Sequence, residues 1–212
     1  LVLLAATGYL IAALLSGRLK KHEVGPLKHE KEAASFTQGF RDMQEGFRYL
    51  RGHLDASRGI IATAVQRGGL TALTLTALLL ERNTFNDPAK PEAGLQGFGI
   101  ALSIAGLGIF LGAFTAPYGV ARFGRHRWIK FAMLASACSP LALAVFQTEI
   151  ALCLTAFLAA FFGQNVKVTN DALVQSKIDD YHRGRVFAVY DVVVNSAIVG
   201  GGLIAALLLP TS

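Results

Sequence analysis

The feature that most constrains this chain is a series of long apolar runs separated by polar segments. A helix needs about 20 mainly apolar residues to cross the hydrocarbon core of a bilayer, and five runs approach or exceed that length. They lie at residues 59–80, 94–120, 128–146, 149–175 and 186–209. Because backbone groups in hydrocarbon must form their hydrogen bonds within the same segment, we expect every run to be a helix.

The composition excludes an ordinary soluble domain. Hydrophobic residues make up 53% of the chain and charged residues 16%, whereas soluble domains carry about 25% charged residues. The net charge is +6, but a nucleic-acid partner requires a basic face on a polar domain. Cys138 and Cys153 lie inside apolar runs without a CxxC pattern, which predicts neither a metal site nor a disulfide framework. We expect no metal, no cofactor and no nucleic acid, and a lipid bilayer around the chain.

A sixth apolar run, at residues 1–16, opens the chain. Basic residues follow this run, at Arg18, Lys20 and Lys21, whereas a secretory signal begins with them. We therefore interpret 1–16 as a truncated transmembrane helix and the chain as a fragment. Residues 17–58 form the next unit, a loop with an amphipathic helix, and residues 59–212 form a bundle of five transmembrane helices.

Basic residues in the connections predict the topology of the bundle. Lys and Arg accumulate on the cytoplasmic side of a membrane. The five successive connections contain nine, two, four (counting Lys130 at the start of the next run), none and three such residues. This alternation places loops 17–58, 121–127 and 176–185 in the cytoplasm of a multi-pass inner-membrane protein.

The first long connection contains an amphipathic helix at residues 37–54. Its apolar residues recur at steps of three and four, which marks one helix face. They are Phe40, Met43, Phe47, Leu50 and Leu54. The arginines of this segment lie off that face, which favours a helix on the inner membrane surface. A helix that binds a partner protein in water is the alternative.

A charged side chain inside a membrane helix is costly and is therefore a candidate functional residue. Arg67, preceded by Gln66, lies nine residues beyond Arg58, about 13 Å along a helix that rises about 1.5 Å per residue. Arg67 is either a substrate or coupling residue in a translocation path, or one half of an ion pair that joins helices. The sequence leaves both interpretations open.

The run at 149–175 has a polar stripe in its second half. Gln164, Lys167 and Asp171 follow one another at steps of three and four, and Asn170 lies slightly to one side. Lys167 and Asp171 are i, i+4 neighbours and can pair. Because a polar stripe on a membrane helix must face the bundle interior, we expect this face to line a cavity or a gate.

Small residues at spacing i, i+4 predict close contacts between helices. Gly108 and Gly112 form one such pair, and Gly202 and Ala206 form another.

The segment KIDDYHRGR, residues 177–185, combines carboxylates, a histidine and arginines. These residues would suit an acid/base or metal site, but they also suit a solvated loop between two buried helices. The predicted topology favours the loop. All five histidines fall in predicted loops, and no HExxH, GxSxG or P-loop lysine motif is present, so we do not expect an enzyme.

Three segments resemble the major facilitator superfamily of transporters. APYGVARFGRHRW resembles its short cytoplasmic signature, with Arg122, Gly124, Arg125 and Arg127 in the basic part and Ala121 where the signature has an acidic residue. GQNVKVTNDALVQSKI and HRGRVFAVYD are similar to the tenth and eleventh helix region of the branch that contains siderophore and drug exporters. The resemblance extends over nearly the whole chain, from helix six to helix eleven.

This resemblance implies an all-α polytopic helix bundle, the C-terminal half of a twelve-helix major facilitator fold. It implies a secondary active transporter that exports small amphipathic molecules by alternating access, coupled to protons. The expected partners are a small-molecule substrate and the missing N-terminal half, with Arg67 and Lys167 lining the shared cavity. A receptor or scaffold of the same fold is the alternative.

The resemblance also implies charge pairs that latch one conformational state. Arg122 or Arg125 with Asp171 is the first predicted latch. Arg183 or Arg185 with Asp191 is the second. Asn195 lies one turn beyond Asp191 and belongs to the same gate.

Overall fold

A computed structural model of the chain describes residues 2–18 and 36–209, and all regular structure in these ranges is helical. Seven α-helices occur, with a π-helical turn at Glu81–Phe85 after the third. They are α1 (Val2–Ser16), α2 (Phe36–Gly52), α3 (Leu54–Leu80), α4 (Pro91–Phe123), α5 (Arg125–Phe146), α6 (Glu149–Lys177) and α7 (Asp180–Leu208). All five predicted spans and the predicted helix at 37–54 are therefore confirmed as helices.

Four of the described helices, α4 to α7, are long and apolar enough to cross a membrane. α3 is also long but is not among these four, and it carries Gln66 and Arg67 near its middle. α1 belongs to a unit separate from residues 40–212, and it is apolar but shorter than a span. Residues 19–35 of the predicted cytoplasmic loop, with His22 and His29, lie outside the described residues.

Two predicted loops are wrong, because the helices extend through them. Gly124, at φ 78°, is the only residue between α4 and α5, so the predicted loop 121–127 is a single turn residue. Only Ile178 and Asp179 separate α6 from α7, so most of KIDDYHRGR is helical. The Asp179 side chain accepts a hydrogen bond from the backbone N–H of His182 at 2.9 Å, which caps α7. Charged residues fit helix ends in water as well as they fit loops.

Two histidines that were predicted in loops, His126 and His182, lie in helices for the same reason. His126 lies in the first turn of α5 and His182 in the first turn of α7, while His53 separates α2 from α3.

Helix α6 lies at the centre of the bundle, with α4 and α5 on one side and α3 on the other, and α3 packs in turn on α7. A Cβ on Gly108 would lie 2.6 Å from the carbonyl oxygen of Phe157, and one on Gly112 would lie 2.5 Å from that of Phe161. The predicted close contact at Gly108 and Gly112 is therefore confirmed. On α7 the residue without room for a Cβ is Gly201, which meets the backbone of Gly68, while the predicted Gly202 makes ordinary contacts.

Two apolar clusters lie toward the opposite ends of the bundle. The first joins the start of α3, the end of α6 and the start of α7 around Ile60, Val174 and Val186. The second joins the end of α3 with α4, α5 and the start of α6 around Ala77 and Leu152. The polar residues near the middle of α3 and α6 therefore lie between two apolar layers.

Helix α2 packs against α7 and the first apolar cluster with part of its predicted apolar face, Met43 and Leu50, together with Gly46. A Cβ on Gly46 would lie 2.6 Å from the carbonyl oxygen of Arg185, and Leu50 is buried in the first cluster. Phe40 and Phe47 remain exposed, and the guanidinium of Arg51 lies over the Phe47 ring at 5.0 Å. This exposed face keeps the aromatic and basic character that the membrane-surface interpretation needs.

Candidate functional site

The charged residues predicted inside the bundle meet where α3, α6 and α7 come together. Arg67 Nη2 of α3 donates a hydrogen bond to Gln164 Oε1 of α6 at 3.0 Å. One turn along α6, Lys167 Nζ pairs with Asp171 Oδ2 at 2.5 Å. The structure therefore brings these four predicted residues to the same side of α6, facing α3 and α7.

Asp171 is the branch point of this arrangement. Its Oδ1 accepts a hydrogen bond from Tyr190 Oη of α7 at 2.5 Å, so the two carboxylate oxygens hold an ammonium group and a phenol. Asp171 exposes 24% of its side chain and Lys167 exposes 39%, whereas Tyr190 is buried. The carboxylate thus links α6 to α7 while one side of it stays open.

The charges of this group do not cancel. Arg67 and Lys167 contribute two positive charges and Asp171 contributes one negative charge. One cation is therefore in excess. A half-buried site with a surplus positive charge favours the anionic group of a ligand.

Two of the predicted site residues have a different environment. Asn170 is fully buried and its Nδ2 donates to the carbonyl oxygen of Gly59 and to Thr63 Oγ1, at 3.0 Å each. Gln66 is also buried, against Gly163 of α6. Both side chains join α3 to α6 inside the bundle, and each also lines a pocket: Gln66 one beside Met133 of α5, and Asn170 one beside Arg125 of α5.

The predicted gate residues have partners other than those of the predicted latches. Arg185 Nε bonds Asp42 Oδ1 of α2 at 3.1 Å, and its Nη1 lies 3.2 Å from Glu45 Oε2. Arg183 pairs with Asp180 one turn earlier in α7, at 2.7 Å. In this conformation the two arginines stabilise the start of α7 and its contact with α2.

The other gate candidates lie at the bundle surface. Arg125 Nη1 donates to Ser176 Oγ at 3.1 Å, and Arg122 is exposed. Asp191 and Asn195 are exposed, and Asn195 Nδ2 donates to the backbone oxygen of Asp191 at 2.8 Å. Among residues 36–209, none of the predicted latch pairs is formed.

An aromatic stack extends the contact between α2 and α7. The Tyr49 ring lies between the imidazoles of His53 and His182, with centroids 4.2 Å from each. His182 also bonds Asp179, whose pKa is lowered first by the backbone N–H of His182 and then by its side chain. Within the described ranges, no group of three or more His, Cys, Asp or Glu side chains could hold a metal ion.

Comparison with known proteins decides the family. Residues 59–211 match the family model of the Major Facilitator Superfamily. The chain belongs to the major facilitator superfamily. With four described helices of membrane length and only helical structure, it forms an all-α membrane helix bundle, and the protein is a multi-pass membrane protein.

The curated relatives of this superfamily member are longer than the chain. An uncharacterized MFS-type transporter of Mycobacterium bovis and another of Mycobacterium tuberculosis are each 27% identical over 220 residues. The match covers 99% of this chain and 47% of each relative, so the chain spans about half the length of the curated relatives it matches. No solved structure matches the chain.

Three polar residues of this major facilitator bundle were absent from the predicted site. Tyr190 completes the coordination of Asp171, Asn165 forms a separate buried network, and Glu81 is buried after α3. Asn165 stands in the same polar stretch as Gln164, which was a usable signal. Tyr190 stands beside Asp191 in the polar stretch of the last run, which was also a usable signal. Glu81 carried no signal of its burial, because an acid at the end of a span is a common surface residue.

Proposed function

We propose that the protein is a secondary active transporter that exports small amphipathic molecules by alternating access, driven by proton exchange. The observation that carries this proposal is the half-open group of Arg67, Gln164, Lys167 and Asp171. Charged side chains inside a membrane bundle are stable only when they face a partner or a wet cavity. A surplus cation at such a cavity favours an amphipathic substrate with an anionic group.

We infer that this chain supplies helices six to eleven of a twelve-helix protein. The 47% coverage of each mycobacterial relative supports this assignment. The N-terminal half is then the partner that closes the cavity, the bilayer of the inner membrane surrounds both halves, and α2 lies on the cytoplasmic membrane surface. Loop 17–58 and the short α4–α5 and α6–α7 connections face the cytoplasm.

The predicted latches belong to this proposal as contacts of another conformational state. Asp171 is held by Lys167 and Tyr190 here. An exchange of these partners for Arg122 or Arg125 would couple the cavity to the α4–α5 connection. Arg183 or Arg185 with Asp191 would do the same at the start of α7. A latch acts only by stabilising one state over the other.

Substrate-dependent flux tests this function. The full-length protein is reconstituted in proteoliposomes with a pH gradient, and uptake of the anionic dye carboxyfluorescein is compared with that of the cationic dye ethidium. We expect gradient-dependent flux of the anionic dye. Binding of the dyes without flux under any gradient would favour the alternative, a receptor or scaffold of the same fold.

A further inference from the structure

A second titratable group is buried well away from the Arg67 site, at the far end of α3. Glu81 is the first residue of the π-helical turn, and only 1% of its surface is exposed. Asn86 Nδ2 donates to Glu81 Oε2 and to the Glu81 backbone oxygen, at 3.0 Å each. No residue within 36–209 forms a salt bridge with Glu81.

Two glycines bring the start of α4 against this carboxyl group. A Cβ on Gly97 would overlap the Glu81 carboxylate, and a Cβ on Gly94 would lie 3.0 Å from the Glu81 backbone oxygen. The carboxyl therefore fills space that a side chain at position 97 would take. π-Helical turns are rare and occur frequently at functional sites, and this one positions the buried acid.

The groups that face Glu81 are neutral or negative. Asn86 lies just past the π-helical turn, and α6 contributes Glu149 and the thiol of Cys153. Arg82 follows in the chain but is exposed. Burial raises the pKa of Glu81, which lies outside the predicted span 59–80, and the charge of Glu149 raises it further, while the Asn86 hydrogen bond opposes them. A buried carboxyl without a cation is most stable as the neutral acid.

We propose that Glu81 is a proton-binding site, and that its proton keeps the π-helical turn packed against α4. In this closed arrangement Oε2 is the carbonyl oxygen that accepts from Asn86, and Oε1 carries the proton. When the proton leaves to solvent, the carboxylate needs water that the packed turn excludes. The turn then separates from Gly94 and Gly97, and this end of the bundle opens.

The direction of the pH dependence follows from the two states. The closed state holds the acid at a raised pKa and the open, hydrated state holds it near its ordinary value. The closed state is therefore stabilised below the ordinary pKa, and this stabilisation is lost as the pH rises through the raised pKa. A proton shifts the equilibrium because it binds the closed state more tightly.

This inference deepens the proposed proton coupling by naming a residue for it, and its role in transport rests on the proposed function. The binding of the proton and the opening of the turn can be measured without any substrate.

Cys153 provides a reporter for opening, because it packs in the second apolar cluster and interacts electrostatically with Glu81. Its thiol becomes accessible to a reagent when this end of the bundle opens. Every other cysteine of the full-length protein is replaced by serine, and the protein is reconstituted in lipid vesicles. The rate of Cys153 alkylation by N-ethylmaleimide is measured from about pH 5 to about pH 9, and it is divided by the rate of the Glu81→Gln variant at each pH. This ratio removes the ordinary titration of the thiol.

We expect the ratio to rise with pH by about tenfold for each unit by which the closed state raises the pKa of Glu81. The charge of an ionised Glu81 disfavours the neighbouring thiolate and would lower the rate, so an increase reports opening. Glu92→Gln, at an exposed carboxyl in the first turn of α4, is the matched control and should leave the profile unchanged.

A second variant keeps the test decisive if Glu81→Gln does not fold. Glu149→Gln removes the negative charge that raises the pKa of Glu81, so the midpoint of the wild-type profile should move to lower pH. A ratio that stays constant with pH, or a Glu149→Gln midpoint that is unchanged or higher, overturns the proposal.

Flux in the same vesicles separates this inference from the proposed function. Dye flux with a flat Cys153 profile overturns the proton site and leaves the transporter. A pH-dependent Cys153 profile without gradient-dependent flux supports the proton site and contradicts proton-coupled transport.

Discussion

Two polar networks on opposite sides of α6 differ in charge and in exposure. Toward α4 and α5, Asn165 is fully buried, accepts from Trp128 Nε1 at 3.2 Å and donates to Thr115 Oγ1 at 3.2 Å. Toward α3 and α7, Asp171 is half-open and binds the charged Lys167 together with Tyr190. The first network is neutral and closed, and the second is charged and open on one side.

This difference separates a structural role from a functional one. Neutral donors and acceptors that satisfy one another can be sealed in a dry interior, where they fix the packing of helices. Charges with an uncancelled excess need water or a ligand. The Asn165 network is therefore the structural one, and the Asp171 network is the one that we propose for substrate binding.

The largest expected effect comes from removing the charge of Arg67. Arg67→Gln deletes the charge-assisted hydrogen bond to Gln164, which contributes about 1.5–3 kcal/mol, so kcat/KM for dye flux should fall by about ten- to a hundredfold. Arg41→Gln, at an exposed arginine of α2, is the control and should retain full flux. Flux within twofold of wild type would assign Arg67 the ion-pair or packing role that the sequence left open.

The next effect tests the closed side. Asn165→Ala leaves Trp128 Nε1 and Thr115 Oγ1 without their partner and should lower the free energy of unfolding by about 1–3 kcal/mol. Flux per folded molecule should remain that of wild type. Denaturation in detergent micelles measures the free energy of unfolding, and proteoliposomes measure the flux. Asn83→Ala, at an exposed position, is the control for stability. A loss of flux at unchanged stability would place the substrate on the α4/α5 side of α6 and contradict the proposed site.

A smaller effect is expected at Asp171. Asp171→Asn removes the carboxylate that the proposed latch with Arg122 or Arg125 needs, and an exposed ion pair of this kind contributes only about 0.2–1 kcal/mol. The balance between inward-closed and inward-open states should shift by at most about fivefold, with the inward-closed state weakened. Labelling of cysteines placed at the two ends of the full-length protein measures this balance. Unchanged accessibility would contradict a latch role for Asp171.

The smallest effect is expected from Tyr190→Phe. It removes one phenol hydrogen bond to Asp171, and such bonds between membrane helices contribute about 0.6 kcal/mol on average. A double-mutant cycle with Asp171→Asn, measured on the free energy of unfolding, should show that the double variant loses less than the sum of the two single variants. Strictly additive effects would mean that the Tyr190–Asp171 contact does not stabilise the bundle.

Hydropathy was sufficient to predict the helices of the bundle but not their ends. The runs from 94–120 to 186–209 correspond to α4 to α7, because the need to satisfy backbone hydrogen bonds within each apolar run leaves only helix. The ends were missed because a helix can continue into water when its charged residues are solvated there. Arg183 paired with Asp180 in the first turn of α7 is an example.

The candidate site was predicted in part. The spacing of Gln164, Lys167 and Asp171 placed them on one helix face, and their i, i+4 pairing is confirmed. Gln66 and Asn170 were grouped with them because polarity alone cannot separate a side chain that faces a cavity from one that joins two helices. The structure shows that they do both: they pack against Gly163 and Gly59, and each lines a pocket.

The sequence by itself determined the helical architecture, the membrane environment and the stripe of charge on α6, because each follows from local periodicity and from the cost of polar groups in hydrocarbon. Only the tertiary structure decided which residues of other helices meet that stripe. Tyr190 of α7 reaches Asp171, and Arg67 of α3 reaches Gln164 where Gly59 and Gly163 let α3 lie close to α6. It also decided that Glu81 is buried without a cation among residues 36–209, since Gly97 of the next helix makes room for it.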